Sequence, residues 1–319
     1  MLRATRIASI VLTACGFVLP TAFTIQSAAN GQIATSGPRY SDWSKPVSVA
    51  GVNTLSAEYP NGISRDGLSL YFQRVNPGTG EDLYVVHRPD LESNWSPPVK
   101  LPDTVNSNYN DRAAFISSDG HLLYFASDRP NGRGGSDLYV SWRTHVHDDG
   151  DWQPAVNLSA VNSPGFDSGP TLFEDEESGT TQLYFASTPY AGGQQAQADI
   201  YVSTLGPTGF GPPSPVVELN SAVQEGRPYL RRDGREIFFQ SNRSGPLAIW
   251  VSTRSSTAQP WSPPVAAVSP ADLGDASVTA ITTPVLSWDN STLFVGVVRP
   301  GIDMGAIFVS NREKVTGKP

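Results

Sequence analysis

Residues Ile116 to Ser141 read ISSDGHLLYFASDRPNGRGGSDLYVS, and this stretch decides the fold. Asp119-Gly120 marks a tight turn, Leu122–Ser127 alternates as a strand, Gly134-Gly135 opens a loop, and Asp137–Ser141 alternates again. Asp-Gly and Gly-Gly between alternating apolar runs are strong hairpin signals. The stretch also recurs, as ISRDGLSLYFQR with EDLYVV from Ile63 and as TQLYFAS with ADIYVS from Thr181. RRDGREIFFQSNR with LAIWVS follows from Arg231, and SWDNSTLFVG with GAIFVS from Ser287. Five copies at a spacing of roughly 50 to 60 residues predict a propeller of repeated blades.

A second motif accompanies the first. NWSPPVKLP at Asn94, DWQPAVNLS at Asp151, GFGPPSPVVEL at Gly209 and PWSPPVAAV at Pro260 each follow a copy's third strand and read as the outermost strand, d. YSDWSKPVSVA, Tyr40 to Ala50, matches them but has no blade before it, while the last copy, Ser287–Ser310, has no such strand after it. The expected resolution is that Tyr40–Ala50 completes the last blade, joining the two ends of the chain and removing the open edges. Fold class is therefore all-β, a single five-bladed propeller of four-stranded blades closed by an N-terminal outermost strand. Trp43, Trp95, Trp152 and Trp261, with Phe210, are expected to fill gaps between blades, because large aromatics dominate such packing.

The pattern S-x-D-G-x-x-L-Y-F-x-S-[DN]-R…G-G-x-D-[IL]-Y-V-S resembles the WD40-like β-propeller repeat of the bacterial TolB type. Ser117/Ser118-Asp119-Gly120, Leu123-Tyr124-Phe125, Ser127-Asp128-Arg129, Gly134-Gly135 and Asp137-Leu138-Tyr139-Val140-Ser141 carry it. The likeness spans about residues 40 to 310 and implies the blade architecture. It departs at Ala248 and Ala306, which stand where Asp137 does, and at Asn290 in place of the turn glycine. The TolB-type ring has six blades and an additional N-terminal domain, so its partner binding is not carried over.

Gly 29 and Pro 27 with only 16% charged residues suit short strands and tight turns. A net charge of −8 lacks the basic stripe that nucleic acid or an anionic membrane surface requires. Residues 1–29 read as a signal peptide: Arg3 and Arg6, the apolar Ile7–Leu19, then Ser27-Ala28-Ala29. Leu12-Thr13-Ala14-Cys15 has the form of a lipobox, which would add a lipid anchor, although Gly16–Leu19 continues the apolar run. Residues 30–39 read as a flexible leader, 40–312 as the propeller and 313–319 as a C-terminal tail. A periplasmic or extracellular monomer is expected, with no disulfide, since Cys15 is the single cysteine.

Candidate ligand-binding residues lie where the chain enters strand a, at the mouth of the channel. Asn53-Thr54 precedes Glu58, Asn106-Ser107 precedes Asp111, Asn162-Ser163 precedes Asp167, and Asn220-Ser221 precedes Glu225; the fifth copy has Ile281. The plainer reading is that these side chains bond loop N–H groups. The sharper one is an acid ring that binds Ca²⁺ or a polyol. Arg112 and Arg227 adjoin two of the acids and either clamp an anionic ligand or, the favoured reading, neutralise the ring. Pairs Arg129/Asp137 and Arg74/Asp82 read as loop salt bridges.

Weaker patterns are His145-x-His147-Asp148-Asp149, with metal-ligand residue types, and the run Glu174–Glu177, read as a solvated loop or a weak Ca²⁺ site. Ser287-Trp288-Asp289-Asn290 has a passing likeness to a sialidase Asp-box but reads as a hairpin turn. G-x-S-x-G, a phosphate loop and H-E-x-x-H are all absent. The expectation from sequence is a non-catalytic binding module with a protein or glycan partner on the face of the d–a and b–c loops. Cofactors are expected to be none, or Ca²⁺ at the acid ring. The alternative is a glycoside hydrolase using two acids of the axial funnel, since that chemistry needs a carboxylate pair across one bond.

Overall fold

In the computed structural model the described residues are 39–188 and 197–315, so the stretches expected as signal peptide, lipobox at Cys15 and most of the leader lie outside them. Five antiparallel sheets form the blades of a five-bladed propeller. Their strands a, nearest the axis, are Ala57–Ile63, Asp111–Ile116, Phe166–Glu174, Glu225–Leu230 and Ala280–Leu286. Strands b are Ser69–Asn76, Leu122–Ser127, Thr181–Thr188, Glu236–Ser241 and Thr292–Arg299, and strands c are Gly80–His87, Asp137–Trp142, Asp199–Gly206, Ala248–Thr253 and Asp303–Asn311. Strands d are short: Val99–Lys100, Val156–Asn157, Ser214–Pro215, Val265–Val268 and, for the fifth blade, Val47–Ser48.

The Leu-Tyr-Phe run of strand b explains how the blades stack. Alternate side chains of a strand leave on opposite faces of the sheet. Leu70 and Phe72 of blade 1 therefore pack into one core with Leu293 and Val295 of blade 5, while Tyr71 between them packs with Leu123 and Phe125 of blade 2. Tyr124 repeats the step toward Leu183 and Phe185, and Tyr184 toward Ile237 and Phe239. One three-residue motif thus seals two blade interfaces.

Closure follows the sequence expectation. Val47 pairs with Val309 and Ser48 with Phe308, which places the N-terminal strand at the outer edge of blade 5. A second clasp extends it: Arg39 and Tyr40 pair with Val315 and Lys314, so a short stretch on each side of the propeller boundaries joins the ring.

Two further repeated devices hold the loops. Asn53, Asn106, Asn162 and Asn220 each accept from and donate to one backbone residue of the preceding strand c: Ile307, Leu83, Leu138 and Ile200. These amides do what another strand would do. The second device is an arginine just past strand c. Arg88, Arg143, Arg254 and Arg312 lie 4.4, 4.4, 4.1 and 4.3 Å from the ring centroids of Trp95, Trp152, Trp261 and Trp43. Their Nε atoms donate to the turn carbonyls of Gly67, Gly120, Gly234 and Asn290 at 2.9, 2.9, 2.6 and 2.8 Å. The tryptophans also pack toward the preceding blade, as Trp43 does edge-on against Phe238 at 6.0 Å. Blade 3 has Phe210 in the tryptophan's place and Thr204-Leu205-Gly206 where the others carry the arginine.

Candidate functional site

The four carboxylates that enter strand a, Glu58, Asp111, Asp167 and Glu225, have no exposed surface. Each turns into its own loop. Glu58 accepts from the Thr54 hydroxyl and, at 2.9 Å, from Arg74. Asp111 accepts from the Ser107 N–H and hydroxyl and from Arg129 at 2.6 Å. Glu225 accepts from Ser221, Ser241 and Arg243. Asp167 differs. It accepts from the Ser163 N–H at 2.6 Å, its Oδ1 has no hydrogen-bond partner among the described residues, and Pro189 occupies the sequence position of Arg129 and Arg243. Burial pushes its carboxyl above the usual aspartate range.

Other ion pairs differ from those expected. Arg129 reaches Asp111 and Arg74 reaches Glu58, whereas Asp137 binds the Arg133 and Gly134 N–H groups and Asp82 pairs with Lys100 at 2.9 Å. Three of the ring acids, Glu58, Asp111 and Glu225, are neutralised by Arg74, Arg129 and Arg243, not by Arg112 and Arg227. The expected neutralising role of the latter two is thus corrected. Arg112 meets Glu81 at 3.6 Å and Asp128 at 3.4 Å. Arg227 donates to Gln73 Oε1 at 3.3 Å, the oxygen that also accepts from Asn61 and the Ala113 N–H. Burial lowers the Arg227 pKa to about 10.

That polar hub closes the waist of the channel. Every strand a has a bulge at the same level, where Ala113, Gly169, Arg227 and Thr283 take positive φ of 58°, 65°, 52° and 49°. The bulges bring Pro60, Pro170, Pro228 and Pro284 to the axis and leave a void of about 20 Å³. Such a space suits one water molecule.

Beyond the waist the channel opens into a cavity of about 610 Å³ on the face of the a–b turns, opposite the face favoured by the sequence. Phe115, Leu172, Tyr229 and Leu286 provide apolar surface. Each blade sends one residue to the rim from the same point in its turn: Arg65, Ser118, Glu176, Arg232 and Trp288. The turns themselves repeat. In each the first residue's N–H bonds the carbonyl that closes the loop, from Ser64, Ser117, Asp175, Arg231 and Ser287. An aspartate braces four of them; burial opposes the charge of Asp289, but the Ser287 and Ser291 hydroxyls donate to it and hold its pKa below the usual range. Ser287–Asn290 is therefore a hairpin turn. The residue after the first is free to differ: it is arginine in blades 1 and 4, and serine, glutamate and tryptophan in blades 2, 3 and 5.

Blade 3 departs furthest. Leu172 pairs with Leu183 as Ile116 pairs with Leu123, yet its hairpin continues through Phe173–Gln182 and Glu174–Thr181 before turning. The extension raises Glu174 and Glu176 as one wall of the cavity, a role missed when Glu174–Glu177 reads as solvated loop. Glu174 accepts from the Ser118 hydroxyl at 2.7 Å, whereas Glu176 lies 3.5 Å from Arg232 and is mostly exposed. Only the register reveals this wall.

His145 pairs with Asp151 at 3.0 Å, and Asp149 with His87 and Arg143, so the histidine-rich loop spends its acids on separate partners. Among the described residues no three His, Cys, Asp or Glu side chains converge as a metal site.

No protein-family profile matches the chain, and no curated protein matches it in sequence. Solved structures do match in fold. The catalytic domain of a GH62 α-L-arabinofuranosidase from Coprinopsis cinerea is 13% identical, with a TM-score of 0.62, over 88% of this chain and 100% of that one. An α-L-arabinofuranosidase from Podospora anserina in complex with cellotriose is 13% identical, TM-score 0.61, over 86% and 98%. An endo-arabinase from Bacteroides thetaiotaomicron is 17% identical, TM-score 0.54, over 86% and 100%. Such identities show a shared fold. They nevertheless correct the expectation of a non-catalytic binding module: the architecture it was drawn from is, in these proteins, that of glycoside hydrolases.

Proposed function

We propose that the protein is a glycoside hydrolase acting in the cavity on the a–b turn face. The observation that carries the reading is the pair Glu174 and Glu176. They are two carboxylates of unlike surroundings, raised beside a concave, partly apolar space by a hairpin that only one blade extends. Glycoside hydrolysis uses one carboxyl to protonate the leaving oxygen and a second to activate water or to attack the sugar. The ring acids offer no such pair: all four are buried, and Glu58, Asp111 and Glu225 are each held by an arginine. In this reading Glu174, held by Ser118 over the apolar surface, donates the proton, and Glu176, open to solvent, activates water. The fold shared with arabinofuranosidases and an endo-arabinase supports the reaction class. The N-terminal segment supports action outside the cytoplasm, and the TolB-like motif describes how the blades are built.

The test is reducing-sugar release from a panel of arabinans, xylans and acidic polysaccharides, with Glu174→Gln and Glu176→Gln alongside. Each substitution should reduce turnover by about 100-fold or more, the scale of general acid–base catalysis. Absence of turnover on every polysaccharide, or unchanged rates in both variants, would refute the reading.

A further inference from the structure

We propose that Arg65, Trp288 and Arg232 form a carboxylate-binding arc in the cavity, which selects glycans containing uronic acid. The two guanidinium groups lie 4.9 and 5.0 Å from the Trp288 ring centroid and come from the turns of blades 1 and 4, on either side of blade 5. The other arginine–tryptophan contacts of this protein show why the arc is unusual. In the four latches the arginine Nε is committed to a turn carbonyl, and Arg243 over Trp250 is bound to Ser241 and Glu225. Arg65 makes no side-chain hydrogen bond or ion pair among the described residues. Arg232 has only the 3.5 Å approach of Glu176, between two side chains that are 45% and 78% exposed. Such an exposed pair is weak.

Stacking on an indole uses the face of a guanidinium and leaves its in-plane N–H groups free. That is the geometry with which arginine grips a carboxylate in two parallel hydrogen bonds. Both guanidinium carbons lie over the Trp288 ring, a contact that consumes none of their N–H donors. The charges of the cavity are also divided: the unlatched cations belong to blades 1 and 4, the carboxylate wall to blade 3. A neutral sugar would leave both forks unused. A uronate residue seated on the arc would hold its chain across the cavity, toward Glu174 and Glu176. A cavity of about 610 Å³ lies within the range of roughly 300 to 1,000 Å³ typical of small-ligand sites.

The choice of substrate class rests on the hydrolase reading, but the binding claim is tested separately. Calorimetric titration of the intact protein would use oligosaccharides of galacturonate, glucuronate and mannuronate, each beside its carboxyl-reduced neutral counterpart. At least one acidic oligosaccharide should bind about tenfold or more tightly than its neutral counterpart, as hydrogen bonds to charged groups warrant. Raised salt, Arg65→Gln and Arg232→Gln should each weaken that preference, with the melting temperature unchanged because both side chains are exposed. Binding of this kind without hydrolysis would sustain the arc and sink the hydrolase reading. Hydrolysis of neutral glycans with no acidic preference would do the reverse. Equal affinity for every acidic and neutral pair, or a preference untouched by both variants, would overturn the arc.

Discussion

Arg254 lies 4.1 Å from the centroid of the Trp261 ring while its Nε donates to the Gly234 carbonyl at 2.6 Å, so one side chain fastens a strand, a turn and an aromatic plug together. The same arrangement in three other blades makes it a unit of the architecture. Arg254→Ala removes the stack and leaves the turn carbonyl without its donor. We expect a loss of about 2 kcal/mol, from the hydrogen bond and cation–π terms together. Arg254→Lys should recover little, since an ammonium has no plane to stack. Thermal and urea unfolding of both variants measure this; an unchanged midpoint in the alanine variant would sink the latch.

Asp167 predicts a pH signature. Its folded-state pKa is raised by burial, with no arginine to compensate. A raised acid binds protons in the folded state at pH values where the unfolded chain has released them. Stability therefore falls as pH climbs from the unfolded aspartate pKa through the folded one. Asp167→Asn removes the titration while keeping an acceptor for the Ser163 N–H. The variant should melt higher than wild type at pH 7, with the gap closing toward acid. A gap that is constant between pH 3.5 and 7 would contradict this.

The turn glycines separate strain from crowding. Gly234 has φ +65°, and a Cβ there would sit 2.3 Å from Phe173 in the extended hairpin of blade 3. Gly78 has a similar φ of +82° with nothing within 4 Å. Gly78→Ala should cost about 1 kcal/mol from the backbone alone. Gly234→Ala should cost about 3 kcal/mol, the added clash being one the core must absorb. Equal losses in the two denaturation curves would mean that Phe173 moves aside freely.

Much of this was open to reading in the sequence, and the rest was hidden for a physical reason. The blade count and the closing strand were legible because Leu123-Tyr124-Phe125 and the Trp-x-Pro motif repeat, and repetition converts one local pattern into a global one. The arginine latches were not, because Arg143 gains meaning only where Gly120 and Trp152 meet it in space. Glu174 and Trp288 were hidden more deeply. A repeat is recognised by what its copies share, whereas the cavity is lined by the turn positions at which they differ. The buried acids drew notice for the opposite reason: Asp111 and Glu225 recur because they brace the loops of the blades that carry them.

The clasp between the chain ends makes a fourth prediction. Removing residues through Ala50 strips strand d from blade 5 and the pairing of Arg39–Tyr40 with Lys314–Val315. The shortened protein should lose about 3 kcal/mol or more and should self-associate through the bared edge. Calorimetry and size-exclusion chromatography report the two effects. A melting temperature equal to wild type would refute the role of the N-terminal strand.

That same clasp sets an order of events during synthesis. Val47 and Ser48 leave the ribosome before all the other blade strands, and Val309 and Phe308, to which they bond, belong to the last of those strands to emerge. Blades 1 to 4 each draw their sheet from one contiguous stretch of chain and can assemble as they emerge. Blade 5 cannot, and until it does every partial ring carries two raw edges. An interrupted translation product is therefore not a smaller propeller but an open one, marked by its exposed strands for association or degradation.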